Sequence, residues 1–193
     1  DLMTTSPRFA AHFHLPLQHA SDTVLRRMRR PYTRREYEQV VGRIRQNSPH
    51  AAIGSDVVVG FPGETDAHAT ENIQFLTQSP LTYLHVFPYS DRPGTEASKM
   101  KGKVHGQTIR DRARAVREVG SVLSQQFRTA QIGRIRPGLT LRQRAHTVVL
   151  TDNYLRVQVP VPPPENVRVH VRILTATDSP AGELVNESMS STP

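Results

Sequence analysis

Two hydrophobic periods follow one another along the first half of the chain. HFHLPLQ, His12 to Gln18, sets His12 and His14 on one side and Phe13 and Leu15 on the other before turning polar, the period-2 signature of a short strand. SDTVLRRM follows, with Ser21 or Asp22 as N-cap and Val24, Leu25 and Met28 on one helical face. Beyond Pro31, Thr33 caps a second helix, RREYEQVVGRIRQN, whose Tyr37, Val40, Val41 and Ile44 fall at core-facing spacing. AAIGSDVVVGF is almost uniformly apolar and β-branched, which predicts a strand covered on both faces in a parallel sheet. Thr65 or Asp66 opens a helix through ATENIQFLTQS that Pro80 ends, and TYLHVFPYS is the next strand. Strand, helix, strand, helix, strand is the rhythm of βαβ units and predicts an α/β fold.

The pattern then changes twice. From Gly106 to Ile132 a long polar helix carries Ile109, Ala113, Val116, Val119, Leu123 and Phe127 as an apolar stripe. Its other faces hold Arg110, Arg112, Arg114, Arg117 and Arg128. RIRPGLTLRQ, HTVVLT, YLRVQVPV and VRVHVRIL are short β-type runs broken by Gly, Asp-Asn and Pro, the spacing of a small all-β barrel over 134–176. The domain boundary is expected near Gly133, and the Ser/Thr/Pro-rich stretch 177–193 reads as a disordered tail.

Composition narrows the class. The chain has 193 residues, room for one domain and a small appendage. Lys and Arg number 25 against 17 Asp and Glu, and the pI near 10.6 favours a polyanionic partner such as nucleic acid. Cysteine is absent, which excludes a disulfide framework, a thiolate metal site, an iron–sulfur cluster and a Cys nucleophile built from this chain alone. No apolar run approaches the roughly 18 residues of a membrane span, so a cytoplasmic protein without membrane contact is expected. The chain opens on Asp1 and runs quickly into a strand, as a segment of something longer would.

In βαβ units ligands sit at the C-terminal ends of the strands, and here those ends read QHASD, GFPGET and YSDRPGT, all polar or glycine-rich. Gly60 and Gly63 could stand where a ligand approaches the backbone, with Glu64 turned toward an amine or ribose; the same residues also make a good turn, with Glu64 a solvated cap of the next helix. Asp56, inside a β-branched run, needs a partner. His12, His14 and His19 suggest a metal, but no carboxylate or third His follows at a useful spacing, so satisfied or exposed histidines and no metal site are expected. The Arg run from Arg26 to Arg35 and the Arg-rich helix face are either solvated surface or phosphate contacts, for which the guanidinium fork is well shaped.

Taken together, LPLQHASDTVLRRMRRPYT, SDVVVGFPGET and YLHVFPYSDRPGTEASKM resemble the second half of the radical S-adenosylmethionine core of the methylthiotransferases, in order and at the right separations. The β runs after it are similar to that family's TRAM domain. PLTYLHVFPYSDRPGTEA and LTDNYLRVQV most resemble the threonylcarbamoyladenosine tRNA methylthiotransferases, while LQHASD is also similar to the ribosomal protein S12 methylthiotransferases. The resemblance implies the C-terminal half of a partial (β/α)6 barrel followed by an RNA-binding β-barrel. It further implies addition of a methylthio group to C2 of N6-threonylcarbamoyladenosine at position 37 of tRNA, with S-adenosylmethionine and two 4Fe-4S clusters as cofactors. Carried onto this sequence, it places Gln18, Ser21, Asp56, Gly60, Pro62, Gly63 and Glu64 near the cofactor. Tyr89, Ser90, Arg92, Arg110, Arg114, Arg117, Asn153 and Tyr154 fall toward the substrate RNA. The family's three-Cys motif and cluster-bearing N-terminal domain have no counterpart here, so the chain is expected to need the missing N-terminal half of the same enzyme, to be inactive alone and to be monomeric when complete. A Cys-less RNA-binding module without catalysis and a fragment of a ribosomal protein S12 methylthiotransferase are the alternatives.

Overall fold

The computed structural model describes residues 2–6, 8–143, 146–160 and 164–185. They form two compact units, one of residues 13–49 and 53–123 and the other of residues up to 12, 50–52 and those from 124 onward. In chain order the elements are α1 (Leu2–Thr5), β1 (His12–His14), α2 (Asp22–Arg27), α3 (Arg34–Asn47), β2 (Ala52–Val59), α4 (Asp66–Gln78), β3 (Tyr83–Pro88), α5 (Glu96–Lys99) and α6 (Gly106–Thr129), then β4 (Ile135–Gln143), β5 (His146–Thr151), β6 (Arg156–Gln158), β7 (Arg168–Ile173) and β8 (Gly182–Val185).

The first unit is built on a sheet of order β1-β2-β3. Its β2–β3 pair is parallel and sets Asp56 opposite His85. Beside β2, the Leu15 N–H donates to Gly54 O (2.9 Å), Gln18 N–H to Asp56 O (2.8 Å) and Val58 N–H to Gln18 O (2.8 Å), so pairing runs on past β1 to Gln18. The helix starts form where the sequence places them. Thr33 and Glu36 close a capping box on α3, and Thr65 and His68 close another on α4.

The two faces of this sheet differ. Ile53, Ser55 and Val57 are fully buried, and Leu84 meets Gly120 of α6. Gly54, Asp56 and Val58 share the opposite face with Tyr83, His85 and Phe87, and there Phe87 is 49% exposed. Within this chain helices cover only one face of β2, because sequential strands joined by crossovers of one hand carry both connecting helices on the same side. Val40 is likewise exposed, because Tyr37, Val41 and Ile44 already fill the buried stripe of α3.

The second unit holds an antiparallel sheet of order β6-β5-β4-β7-β8. Gln158 bridges to Ala181, and its N–H donates to Pro180 O (2.8 Å), so the sheet curls until its two edge strands meet. Val149, Val157, Val171 and Ile173 form its buried core, each contributing about 1.5–3 kcal/mol by burial. Its last segment starts at Ser124, inside α6 and ahead of the expected boundary at Gly133. The reason lies in the last turns of the helix, where Gln125 and Arg128 donate to Ala176 O (3.0 and 3.3 Å) and Arg128 pairs with Asp178 (2.8 Å). The stretch expected to be disordered from Thr177 is also corrected as far as residue 185. Glu183 and its neighbours find backbone partners in β7, with Gly182 opposite Ile173 and Val185 opposite His170. The rest of that stretch, 186–193, lies outside the described residues.

Candidate functional site

The C-terminal ends of three parallel strands carry the loops that sequence singled out, and each is shaped by contacts of its own. After β1, Gln18 stands at φ 69°, a left-handed conformation that a straight-chain residue rarely takes and that commonly marks functional strain. Both its backbone groups are spent on β2, so the twist serves to re-aim its half-buried side chain. Ser21 is buried at the start of α2 without a side-chain cap bond. Its N–H donates to Nδ1 of His19 (2.9 Å), and Ala20 N–H donates to Oδ1 of Asn72 on α4 (2.9 Å). His19 is wholly buried, with burial as the main cause of a pKa lowered to about 3 and the charges of His68 and Arg112 adding to it. Its Nδ1 accepts, so Nε2 carries the hydrogen. That Nε2 lies 3.8 Å from Glu64, beyond hydrogen-bond reach.

The loop after β2 is clasped by its own acid. Glu64 accepts from Gly60 N–H (2.5 Å) and Phe61 N–H (3.2 Å), and its side chain is 1% exposed. Arg112 of α6 donates to its Oε1 (3.0 Å) and its backbone oxygen (3.2 Å), and reaches Asp66 as well. Burial raises the Glu64 carboxyl above its ordinary value, while the Gly60 N–H and Arg112 oppose that rise. Gly60 has φ 78° and Gly63 φ 86°. A Cβ on Gly60 would strike Ile109, and one on Gly63 the Arg27 guanidinium. The Gly63 N–H is itself spent on Gly102 O (2.7 Å), and Pro62 O accepts from Arg27 Nε (3.0 Å). Two sequence expectations change here. The close neighbours of these glycines are protein side chains, and Glu64 is turned inward to organise the loop.

The loop after β3 starts with Tyr89, whose N–H donates to Val59 O (2.8 Å) and whose ring meets Phe61 edge-on. Its hydroxyl donates to Asp91 (2.9 Å), and Lys103 joins both. Ser90 and Arg92 are exposed. Along α6, Arg110, Arg114 and Arg117 are exposed and line a groove of about 430 Å³ with Pro88 and Ser121. Arg112 departs from this basic face and is 11% exposed. The signal was present in the spacing, since Ile109, Arg112 and Val116 fall on one helical stripe.

Asp56 finds its partners on the open sheet face. His14 Nε2 lies 3.0 Å and His85 Nδ1 3.3 Å from the same Oδ1, and His14 Nδ1 lies 3.3 Å from the Tyr83 hydroxyl. Sequence spacing missed this cluster because its members stand on different strands; the alternation of Tyr83, His85 and Phe87 was the available signal. In the second unit Asn153, expected near RNA, is buried: its Oδ1 accepts from the Thr151 hydroxyl (2.6 Å), and its Nδ2 donates to Gln131 Oε1 (3.1 Å) and His50 O (3.0 Å). That correction follows from the left-handed turn at Tyr154, φ 65°, which leaves Tyr154 outside at 55% exposure with its ring stacked on His12.

These residues fit the cofactors of a radical S-adenosylmethionine enzyme unequally. A chain without cysteine supplies no thiolate to a cluster. For S-adenosylmethionine the loops offer the strained Gln18 and the polar Tyr89 and Ser90 at strand ends, while the Gly60, Phe61 and Gly63 N–H groups are spent within the protein. Among the described residues no helix is long and apolar enough to cross a membrane. Residues 7–76 match the radical SAM superfamily. Over 157 residues the chain is 40% identical to the threonylcarbamoyladenosine tRNA methylthiotransferase of Aquifex aeolicus, covering 81% of this chain and 38% of that protein. It is 32% identical over 163 residues to the protein of the same name from Bacillus subtilis, with coverage of 81% and 36%. Against the tRNA-2-methylthio-N(6)-dimethylallyladenosine synthase of Acidothermus cellulolyticus it is 35% identical over 188 residues, covering 95% of this chain and 35% of that one. The chain thus spans less than two fifths of the length of these curated relatives. Residues 7–76 are similar to the radical SAM superfamily, and most of the chain is similar to part of the tRNA methylthiotransferases.

Proposed function

We propose that this chain is the C-terminal part of a cytoplasmic methylthiotransferase that modifies N6-threonylcarbamoyladenosine at position 37 of tRNA, with its second unit a TRAM-type RNA-binding barrel. The observation that carries the reading is the 40% identity to a threonylcarbamoyladenosine tRNA methylthiotransferase over 81% of the chain. In such an enzyme S-adenosylmethionine and two 4Fe-4S clusters supply the radical and the sulfur, and the cluster thiolates belong to the missing N-terminal half. The residues of this chain bind and orient. Gln18 and the loop at Gly60, Pro62 and Gly63 shape the cofactor end of the sheet, with Glu64 and Arg112 holding that loop still. Tyr89, Ser90 and Arg92 meet the substrate nucleoside, and Arg110, Arg114 and Arg117 take backbone phosphates. Tyr154 offers an exposed ring on which a base can stack.

The Arg face gives the test. Each phosphate contact contributes about 0.7–0.9 to the slope of log affinity against log salt. The 193-residue chain carrying Arg110→Gln, Arg114→Gln and Arg117→Gln is expected to bind tRNA with a slope flatter by roughly 2. Filter binding between low and physiological salt reads it, and a slope equal to that of the parent chain would remove the helix from the RNA interface.

A further inference from the structure

His14, Asp56 and His85 come from three neighbouring strands and meet at one carboxylate oxygen, with separations of 3.0 and 3.3 Å. One ligand atom from each lies within 4.8 Å of the others. Donors bound at the usual ~2.0–2.2 Å around one zinc-like ion stand roughly 2.9–3.5 Å apart, so two edges of a coordination polyhedron already have the right length. We propose that these residues form a two-histidine, one-carboxylate site for a divalent transition-metal cation of the zinc or cobalt type.

Three further features support a metal. The ligands stand on paired strands, with Asp56 and His85 in direct register, which fixes their spacing better than loops do. The second nitrogen of His14 faces the Tyr83 hydroxyl at 3.3 Å, the outer partner that orients a ligating imidazole through Nε2. Gly54 makes that partner possible: it lies opposite Tyr83 in the register, and any Cβ there would overlap the Tyr83 ring. Glycine is disfavoured inside a strand unless another group must come close. Three protein donors leave a further position for water or substrate. Two imidazoles and one carboxylate suit zinc, cobalt or ferrous ions over magnesium or calcium, which demand oxygen.

The test uses the full untagged chain, stripped with chelator and titrated with Co²⁺. One equivalent is expected to saturate and to give the d–d absorption of a nitrogen- and oxygen-ligated site, which one equivalent of Zn²⁺ then bleaches. Asp56→Asn and His85→Ala abolish the band, His68→Ala and His105→Ala keep it, and Tyr83→Phe weakens binding roughly tenfold. Independently of any variant, the paramagnetic shifts of Co²⁺ should fall on the imidazole signals of His14 and His85. Failure to saturate, or a band that survives Asp56→Asn and His85→Ala, would overturn the proposal and leave Asp56 as a hydrogen-bond acceptor for two imidazoles.

Discussion

Arg112→Ala lowers the unfolding free energy by about 3–5 kcal/mol at neutral pH, the cost of leaving one member of a buried ion pair uncompensated. The carboxylate left behind is Glu64, 1% exposed and held against the Gly60 and Phe61 N–H groups. Arg112 is its cationic partner at 3.0 Å, and a methyl group in its place offers neither charge nor donor. Glu64 can then relieve itself only by taking up a proton. Its carboxyl is already raised by burial, and loss of Arg112 raises it further. A raised carboxyl stabilises the fold at low pH and loses that contribution as pH rises through the unfolded value toward the folded one, so the deficit of the variant shrinks on acidification. Adding Glu64→Gln to Arg112→Ala recovers part of the loss at pH 7, because the buried charge is gone. Urea unfolding followed by circular dichroism measures all of this. A loss below about 1 kcal/mol, typical of an exposed pair, would mean that Glu64 is solvated and the loop holds itself.

Acid should destabilise the fold through His19. In the unfolded chain this imidazole protonates near 6.5, and in the folded protein burial holds it at about 3. A depressed folded value means that the unfolded state binds the extra proton across that window. The contribution of His19 to stability is complete above pH 6.5 and falls as pH drops toward 3, by about 1.4 kcal/mol for each unit crossed and on the order of 4–5 kcal/mol in all. His19→Asn keeps an acceptor for the Ser21 N–H, which His19 Nδ1 now serves at 2.9 Å, and removes the titration. The difference in stability between the two proteins should therefore rise in favour of the variant as pH falls. Parallel acid limbs would show that His19 reaches solvent.

Much of this architecture is legible in the residues. Thr33, Thr65 and the β-branched run before Gly60 announce local structure through caps and periodicity, and these signals depend only on near neighbours. What the sequence hides is which partner a polar side chain finds across the fold. Glu64 and Arg112 lie 48 positions apart, His14 and Asp56 42, and no periodicity links them. Asn153 misleads for a related reason: Asp-Asn-Tyr reads as an exposed turn, and the left-handed Tyr154 leaves the ring outside with the amide inside.

We propose that this chain serves as one part of a tRNA methylthiotransferase whose cluster thiolates come from residues it does not contain. The most direct measurement joins this chain, in one polypeptide, to the part of the Aquifex aeolicus relative that it does not match. The fusion is expressed in cells deprived of their own methylthiotransferase, and tRNA nucleosides are read by mass spectrometry. Methylthiolated threonylcarbamoyladenosine from the fusion, and none from the 193-residue chain by itself, is the predicted result. A fusion that carries iron and binds tRNA yet leaves the adenosine unmodified would contradict the account and favour an RNA-binding module.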